Sequence, residues 1–258
     1  MYILSKKHDQ VQQNKTRMLK QIRFLKIILF LLFNVAFGQN ASLSVNEVLE
    51  KSQAYFNDTP NFSLDLNYKM FGNYSKNVPM EKFNGRMIKS TNNMYLKINN
   101  TIFISNANNN KNATVFEDEK IIEIKSKNTI ISNSPIQIEN FIKFFKYKNL
   151  QDKGTHYLCT LTTDNITQLP YGKVELYIEK QNFILTKQVI YFLAEYPFID
   201  ENGIPNKGNP KMVVELSNFQ NSISREFTEL TKLSNYIVSD GKKVNPSINY
   251  KDFKISQN

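Results

Sequence analysis

The sequence has one cysteine, two histidines and no tryptophan in 258 residues. A lone cysteine, Cys159, excludes an intrachain disulfide framework and any zinc site built on paired thiolates. His8 and His156 stand far apart and supply little imidazole for acid–base or metal chemistry. There is no phosphate-binding G-x-x-x-x-G-K-[ST], no G-x-G-x-x-G, no G-x-S-x-G nucleophile elbow and no H-E-x-x-H pair. A hydrophobic content of 41% excludes a polytopic membrane protein. What the chain does have is 13 Tyr and 19 Phe, too many for disorder, so a packed core is expected.

The basic balance is concentrated at the start. The formal net charge is +10, from 33 Lys+Arg and 23 Asp+Glu. Lys20, Arg23 and Lys26 precede an apolar run, Ile27 to Phe37, broken once by Asn34. Ala36 and Gly38 then put small residues at −3 and −1 of a cut before Gln39. This is the pattern of a secretory signal peptide over residues 1–38, with Met18 as an alternative true start. The run is shorter than the ~20 residues of a membrane-spanning helix. Residues 1–38 hold seven basic residues and one acid, Asp9, which leaves 26 against 22, a net +4 over 220 residues. That charge is spread out. No basic stripe is present for a phosphate backbone, so no nucleic-acid partner is expected. No cysteine follows the cut, which excludes lipid modification there. Asn, Lys and Ile are abundant, as in AT-rich bacterial genomes, and export then means the periplasm.

Residues 39–258 read as a single domain. Ser44-Val45-Asn46-Glu47 is a capping box, and Val45, Val48, Leu49, Ser52, Tyr55 and Phe56 share a helical face as far as Asn57 to Pro60. Phe62, Leu64, Leu66, Tyr68 and Met70 then alternate with polar residues, which predicts a long strand. Further strands are predicted at Lys82 to Ser90, from Met94, at Ile102 to Ser105, at Ala113 to Phe116 and at Ile121 to Lys125. Asn106 to Asn112 reads as a polar hairpin loop. Ser134-Pro135 with Gln137 predicts a second helix with Ile138, Phe141, Ile142 and Phe145 on one face. Strands resume at His156 to Leu161, Lys173 to Glu179, Phe183 to Leu193 and Lys211 to Phe219. Ala194 to Pro210 is an elaborated loop rich in Pro, Gly and Asn, and the tail beyond Phe219 has strand-like alternation near Tyr236 and Tyr250. The fold class expected is α+β: a curved antiparallel sheet, an incomplete β-barrel, with two or three helices covering its concave face.

Candidate chemistry is sparse. His156 and Cys159 are three apart on a strand, so they point to opposite faces and cannot form a dyad. Cys159 alternates with Tyr157 and Leu161 and reads as a small buried hydrophobe. Glu117-Asp118-Glu119 lacks calcium-loop spacing and reads as a solvated hairpin tip. A dispersed pair of carboxylates stays open as a catalytic alternative. The expectation is a protein that is not an enzyme and takes no cofactor or metal.

The order of elements resembles the periplasmic lipoprotein-carrier superfamily, the LolA/LolB-like fold, over roughly Ser44 to Phe219. Gly85-Arg86-Met87-Ile88-Lys89 followed by Met94-Tyr95-Leu96 is similar to its glycine-led strand and the next one. Phe116 to Ile122 resembles its Asp-Gly-Lys hairpin, with Glu119 where Gly is usual, and Ser134-Pro135-Ile136 its Thr-Pro helix start. Val174 to Ile178, Ile184 to Val189 and Leu216 to Phe219 follow its later strands. The resemblance implies a half-barrel whose helix-lidded cavity binds acyl chains without covalent catalysis. Thr91 and Asn92 stand where the carriers have the Arg-Pro pair that latches the lid, so the latch does not carry over. The residues expected to line the cavity are Phe62, Leu64, Leu66, Met87, Met94, Leu96, Ile138, Phe141, Ile142, Phe145, Leu176 and Val214. The expected partner is a hydrophobic ligand or acylated lipoprotein, bound by a monomer. The alternative is an interaction subunit of an envelope machine that contacts its partner through the 194–210 loop.

Overall fold

In the computed structural model the described residues are 43–106, 111–126, 135, 142–164, 166–240 and 243–257. The predicted leader and residues 136–141 of the predicted second helix lie outside them. Ser44–Asn258 is one compact unit. Among the described residues no helix is long and apolar enough to cross a membrane.

Helix α1 (Val45–Asp58) starts as its sequence dictates. The Ser44 backbone N–H donates to Glu47 Oε2 at 2.7 Å, and the Glu47 N–H donates to Ser44 Oγ at 3.2 Å. Two otherwise orphaned donors are thereby satisfied. Val45, Val48, Leu49, Ser52 and Phe56 form its buried stripe.

The strands are β1 (Asn61–Phe71), β2 (Glu81–Ser90), β3 (Asn93–Ile98), β4 (Thr101–Asn106), β5 (Lys111–Phe116) and β6 (Ile121–Ser126). After them come β7 (Phe145–Lys153), β8 (His156–Thr163), β9 (Tyr171–Glu179), β10 (Leu185–Phe192), β11 (Tyr196–Ile199) and β12 (Pro205–Gly208). β13 (Lys211–Gln220), helix α2 (Arg225–Leu230), β14 (Ile237–Asp240), β15 (Lys243–Pro246) and β16 (Lys254–Gln257) complete the set. Twelve strands form one large, curved sheet in the order β16-β6-β5-β4-β3-β2-β1-β13-β10-β9-β8-β7. The sheet is open, with β16 and β7 as its edges. Its pairings are antiparallel, as the short connections predict, except that β16 runs parallel to β6.

Register sorts the side chains into two faces, because directly paired residues point the same way. On one face Phe62 pairs with Lys89, Leu64 with Met87 and Leu66 with Gly85. Met94 and Leu96 extend this Phe62 face across β3. Val214, Leu176 and Cys159 extend it the other way, across β13, β9 and β8. The opposite face carries Ile88 and Tyr95, with Ile102, Ile104, Ala113, Val115, Ile122 and Ile124 behind them.

The two described α-helices lie on opposite faces: α1, expected from its capping box, and α2, a short helix the sequence did not announce. α1 sits on the Phe62 face, where Phe56 packs against Phe62 and Phe219 at 5.6 and 6.0 Å between ring centres. α2 and the tail sit on the Ile88 face, where Phe227, Leu230, Leu233, Tyr236 and Ile237 pack on its core. The tail's apolar residues come in short runs with no helical period, so their common destination was hidden in the sequence.

Two more elements differ from expectation. Ile142–Phe144 is a single 3-10 turn, and Phe145 opens β7 rather than closing a helix. Strand β7 was missed because it is an edge with the polar run Lys146 to Asn149 on it, without alternation. The 194–210 loop folds into the β11–β12 hairpin. Phe198 of this hairpin lies flat on Gly72, where a Cβ would overlap its ring.

Candidate functional site

Eight of the predicted lining residues, Phe62, Leu64, Leu66, Met87, Met94, Phe145, Leu176 and Val214, are buried on the Phe62 face. Leu96 is half-buried on the same face. Ile142 is half-buried in the turn before β7, away from the register that unites the others. Ile138 and Phe141 lie outside the described residues. The site therefore divides in two. Phe62, at 0% exposed and packed against Phe56 of α1, Leu64 at 2% and Met94 at 0% are sealed in the core. Beyond them the face continues over half-buried apolar side chains: Tyr68 on β1, Phe83 on β2, Ile98 on β3, Phe103 on β4 and Met212 on β13. Tyr68 and Phe83 stack at 4.9 Å. Sequence reasoning left these five out, although the same period-two alternation marks them.

One charged group is built into this face. Lys89 is 4% exposed, and its ammonium donates to the Phe56 and Asn57 carbonyls, both at 2.9 Å. Those carbonyls belong to the last turn of α1, where the helix dipole is negative and carbonyls lack intrahelical donors. Burial pushes the Lys89 ammonium below its ordinary pKa, and Asp58 pulls it back up. Lys89 thus pins the C-terminal end of α1 to β2. Ser52 adds a second polar group on the buried stripe, and its Oγ has no hydrogen-bond partner among the described residues.

Phe219 reaches the Phe62 face through a local irregularity. The β1–β13 register shifts between Ser63 and Asp65, and Asn218 adopts a φ of 53°. Asn tolerates that left-handed region better than most residues. The Asn218 amide donates to Asp65 Oδ2 at 2.8 Å, and Phe219 stacks on Phe62 at 5.7 Å.

Cys159 is fully buried on the Phe62 face, and burial raises its thiol to about 12. A thiol held protonated is a packing group and a poor nucleophile. His156 points to the opposite face, with its Nδ1 at 2.8 Å from Thr155 Oγ1. Thr91 and Asn92 form the tight turn between β2 and β3, and the Thr91 N–H donates to the Pro60 carbonyl at 2.8 Å. Among the described residues no group of three or more His, Cys, Asp or Glu side chains is placed to hold a metal ion.

A separate cavity of about 480 Å³ opens on the Ile88 face. Asp65, Asn84, Arg86 and Lys97 line it, beside apolar wall from Leu66, Tyr95 and Leu230.

No protein-family model matches the chain, and no curated protein matches it. Several solved structures do. A LolA superfamily protein from Nitrosomonas europaea is 12% identical, over 74% of this chain and 98% of that one, at a TM-score of 0.35. A domain described as an outer membrane lipoprotein-sorting protein, from Vibrio parahaemolyticus, is 10% identical over 75% and 100%, at 0.34. The Mycobacterium tuberculosis lipoprotein LppX is 11% identical over 69% and 97%, at 0.35.

Proposed function

We propose that the chain is an exported, non-catalytic carrier or binding protein that holds an acyl chain or another hydrophobic ligand on the Phe62 face, with α1 as part of its lid. The observation that carries this reading is the surplus of apolar face. The sheet presents Leu96, Ile98, Tyr68, Phe83, Phe103 and Met212 in one stretch, half-buried, past the sealed core under α1. A long acyl chain laid along that stretch gains ~25 cal/mol for each Å² removed from water, or several kcal/mol in all. Such binding needs no nucleophile, which accords with an inert Cys159. Export rests on the leader read in the sequence.

The division of the face supplies the test. Leu96→Asp places a charge on the half-buried stretch and is expected to weaken uptake of a fluorescent fatty acid at least about tenfold while the protein stays folded. Leu64→Asp buries the charge in the core and is expected to unfold the protein. Equal loss of folding in both variants would turn the whole face into core and overturn the reading.

A second reading, a partner-binding subunit, draws on the β11–β12 hairpin. Tyr196, Ile199 and Ile204 are all more than half exposed there, and Val78 is 60% exposed beside them. Deleting residues 195–207 is expected to remove a co-purifying envelope protein and to lower the thermal transition only slightly, through loss of the Phe198 packing on Gly72. Unchanged co-purification would sink this second reading.

A further inference from the structure

The cavity on the Ile88 face is not explained by a hydrophobic cargo. Register places Asp65, Arg86 and Lys97 side by side across β1, β2 and β3. Arg86 and Lys97 are thus two cations directly opposite each other, an arrangement that is unfavourable on a sheet unless something neutralises it. Each has a carboxylate on its outer flank. Arg86 Nε donates to Asp65 Oδ1 at 2.7 Å, and Lys97 Nζ donates to Glu117 Oε2 at 2.8 Å. Asp65 is itself held below the usual carboxylate range, chiefly by Arg86, so it stays charged as the fixed end of the row.

The donors left over converge on the same cavity. Arg86 uses only Nε for Asp65, and its guanidinium lies 5.2 Å from the Phe227 ring of α2, which fixes the plane of the fork. Its two Nη groups take no hydrogen bond among the described residues. In the next row Asn67 pairs with Asn84, and the Asn99 N–H donates to the Asn84 carbonyl, so three asparagines lie abreast. Their carboxamides have no partner among the described residues, and all three line the cavity. Tyr95 closes the floor. Its ring is buried, and burial, then Glu117, raises its hydroxyl to about 12.

From this geometry we infer that the cavity binds a compact oxyanion, a phosphate or carboxylate, between Arg86 and Lys97, with the polar remainder of the ligand on the asparagine row. The guanidinium fork receives two oxygens in its plane, and the ammonium supplies a point charge beside it. A volume of 480 Å³ suits a small polar molecule or a lipid headgroup, and the two share this chemistry. This site lies on the opposite face from the proposed cargo and does not depend on it.

The test is calorimetric titration of the purified protein with inorganic phosphate, with glycerol 3-phosphate, and with phosphatidylcholine vesicles containing phosphatidylglycerol. Saturable binding that falls at least about tenfold in the Arg86→Gln, Lys97→Gln double variant, and falls further as salt is raised, is the expected result. Asn84→Leu with Asn99→Leu leaves both ion pairs intact. It gives a weaker loss in the same direction, should the double variant fail to fold. Binding of glycerol 3-phosphate without vesicles assigns a free solute, and vesicle binding that needs Arg86 and Lys97 assigns a headgroup. Absence of saturable binding at millimolar concentrations of every probe, or binding unchanged in both sets of variants, would overturn the site.

Discussion

A buried lysine that ends a helix makes two statements about stability at once. Lys89 satisfies two carbonyls of α1, so its loss leaves acceptors orphaned in an apolar setting. Lys89→Met is expected to cost roughly 1–3 kcal/mol in urea denaturation. The pH dependence has a definite sign. The folded pKa lies below the ordinary value of 10.5, so between the two the unfolded chain binds more protons. Wild-type stability relative to Lys89→Met therefore rises as pH climbs through that window and is constant below it. The tyrosines raised by burial act in the opposite direction above their unfolded pKa. They are common to both proteins and cancel in the difference. A difference that stays flat all the way up to the ordinary pKa of 10.5 would contradict a lowered Lys89 pKa in the folded state. Lys89 was unreadable beforehand, since a lysine at an inward position breaks the alternation that marks a core face.

Among the elements, the clearest sequence signals were the ones that became structure. The capping box at Ser44 fixed the first helical turn, and the alternation from Phe62 to Met70 became β1 with its apolar side inward. Ser44→Ala is expected to lower stability by about 1 kcal/mol, read from the thermal transition, because the Glu47 N–H loses its acceptor. Edge and tail elements were hidden for the opposite reason. β7 carries lysines that discourage edge-to-edge pairing, and β16 is four residues added parallel to β6. Each brings only one or two apolar side chains to a core, Phe145 on β7 and Ile255 on β16, too few to make an alternating pattern. The tail matters nonetheless, because Phe253 and Ile255 pack on the Ile88 core and the Lys254 N–H donates to the Lys120 carbonyl at 2.8 Å. Truncation after Tyr250 is expected to cost roughly 2–4 kcal/mol and to expose the β6 edge, seen as a lower melting temperature with concentration-dependent self-association in size-exclusion chromatography. An unchanged melting temperature would mean the tail only rests on the sheet.

For the whole molecule, the sheet has two differently occupied faces. Nine of the twelve residues expected from the sequence to line a cavity share one face, because register follows from alternation once the hairpins are short. Which of them are sealed and which are half-open was not legible, since a filled core and a lined pocket use the same residue types. The half-open stretch lies further along the same strands, at Ile98, Phe103 and Met212. The polar row of Asp65, Arg86 and Lys97 was visible only as three ordinary surface charges until the register set them abreast. The central claim is that the apolar face carries a ligand, and native mass spectrometry of the protein gently purified from its own cells tests it most directly. The account predicts an added mass that is extractable as an acylated or lipid-like species, displaced by a fatty acyl probe and absent from Leu96→Asp. A clean mass of the protein alone, unchanged by such probes, would contradict it.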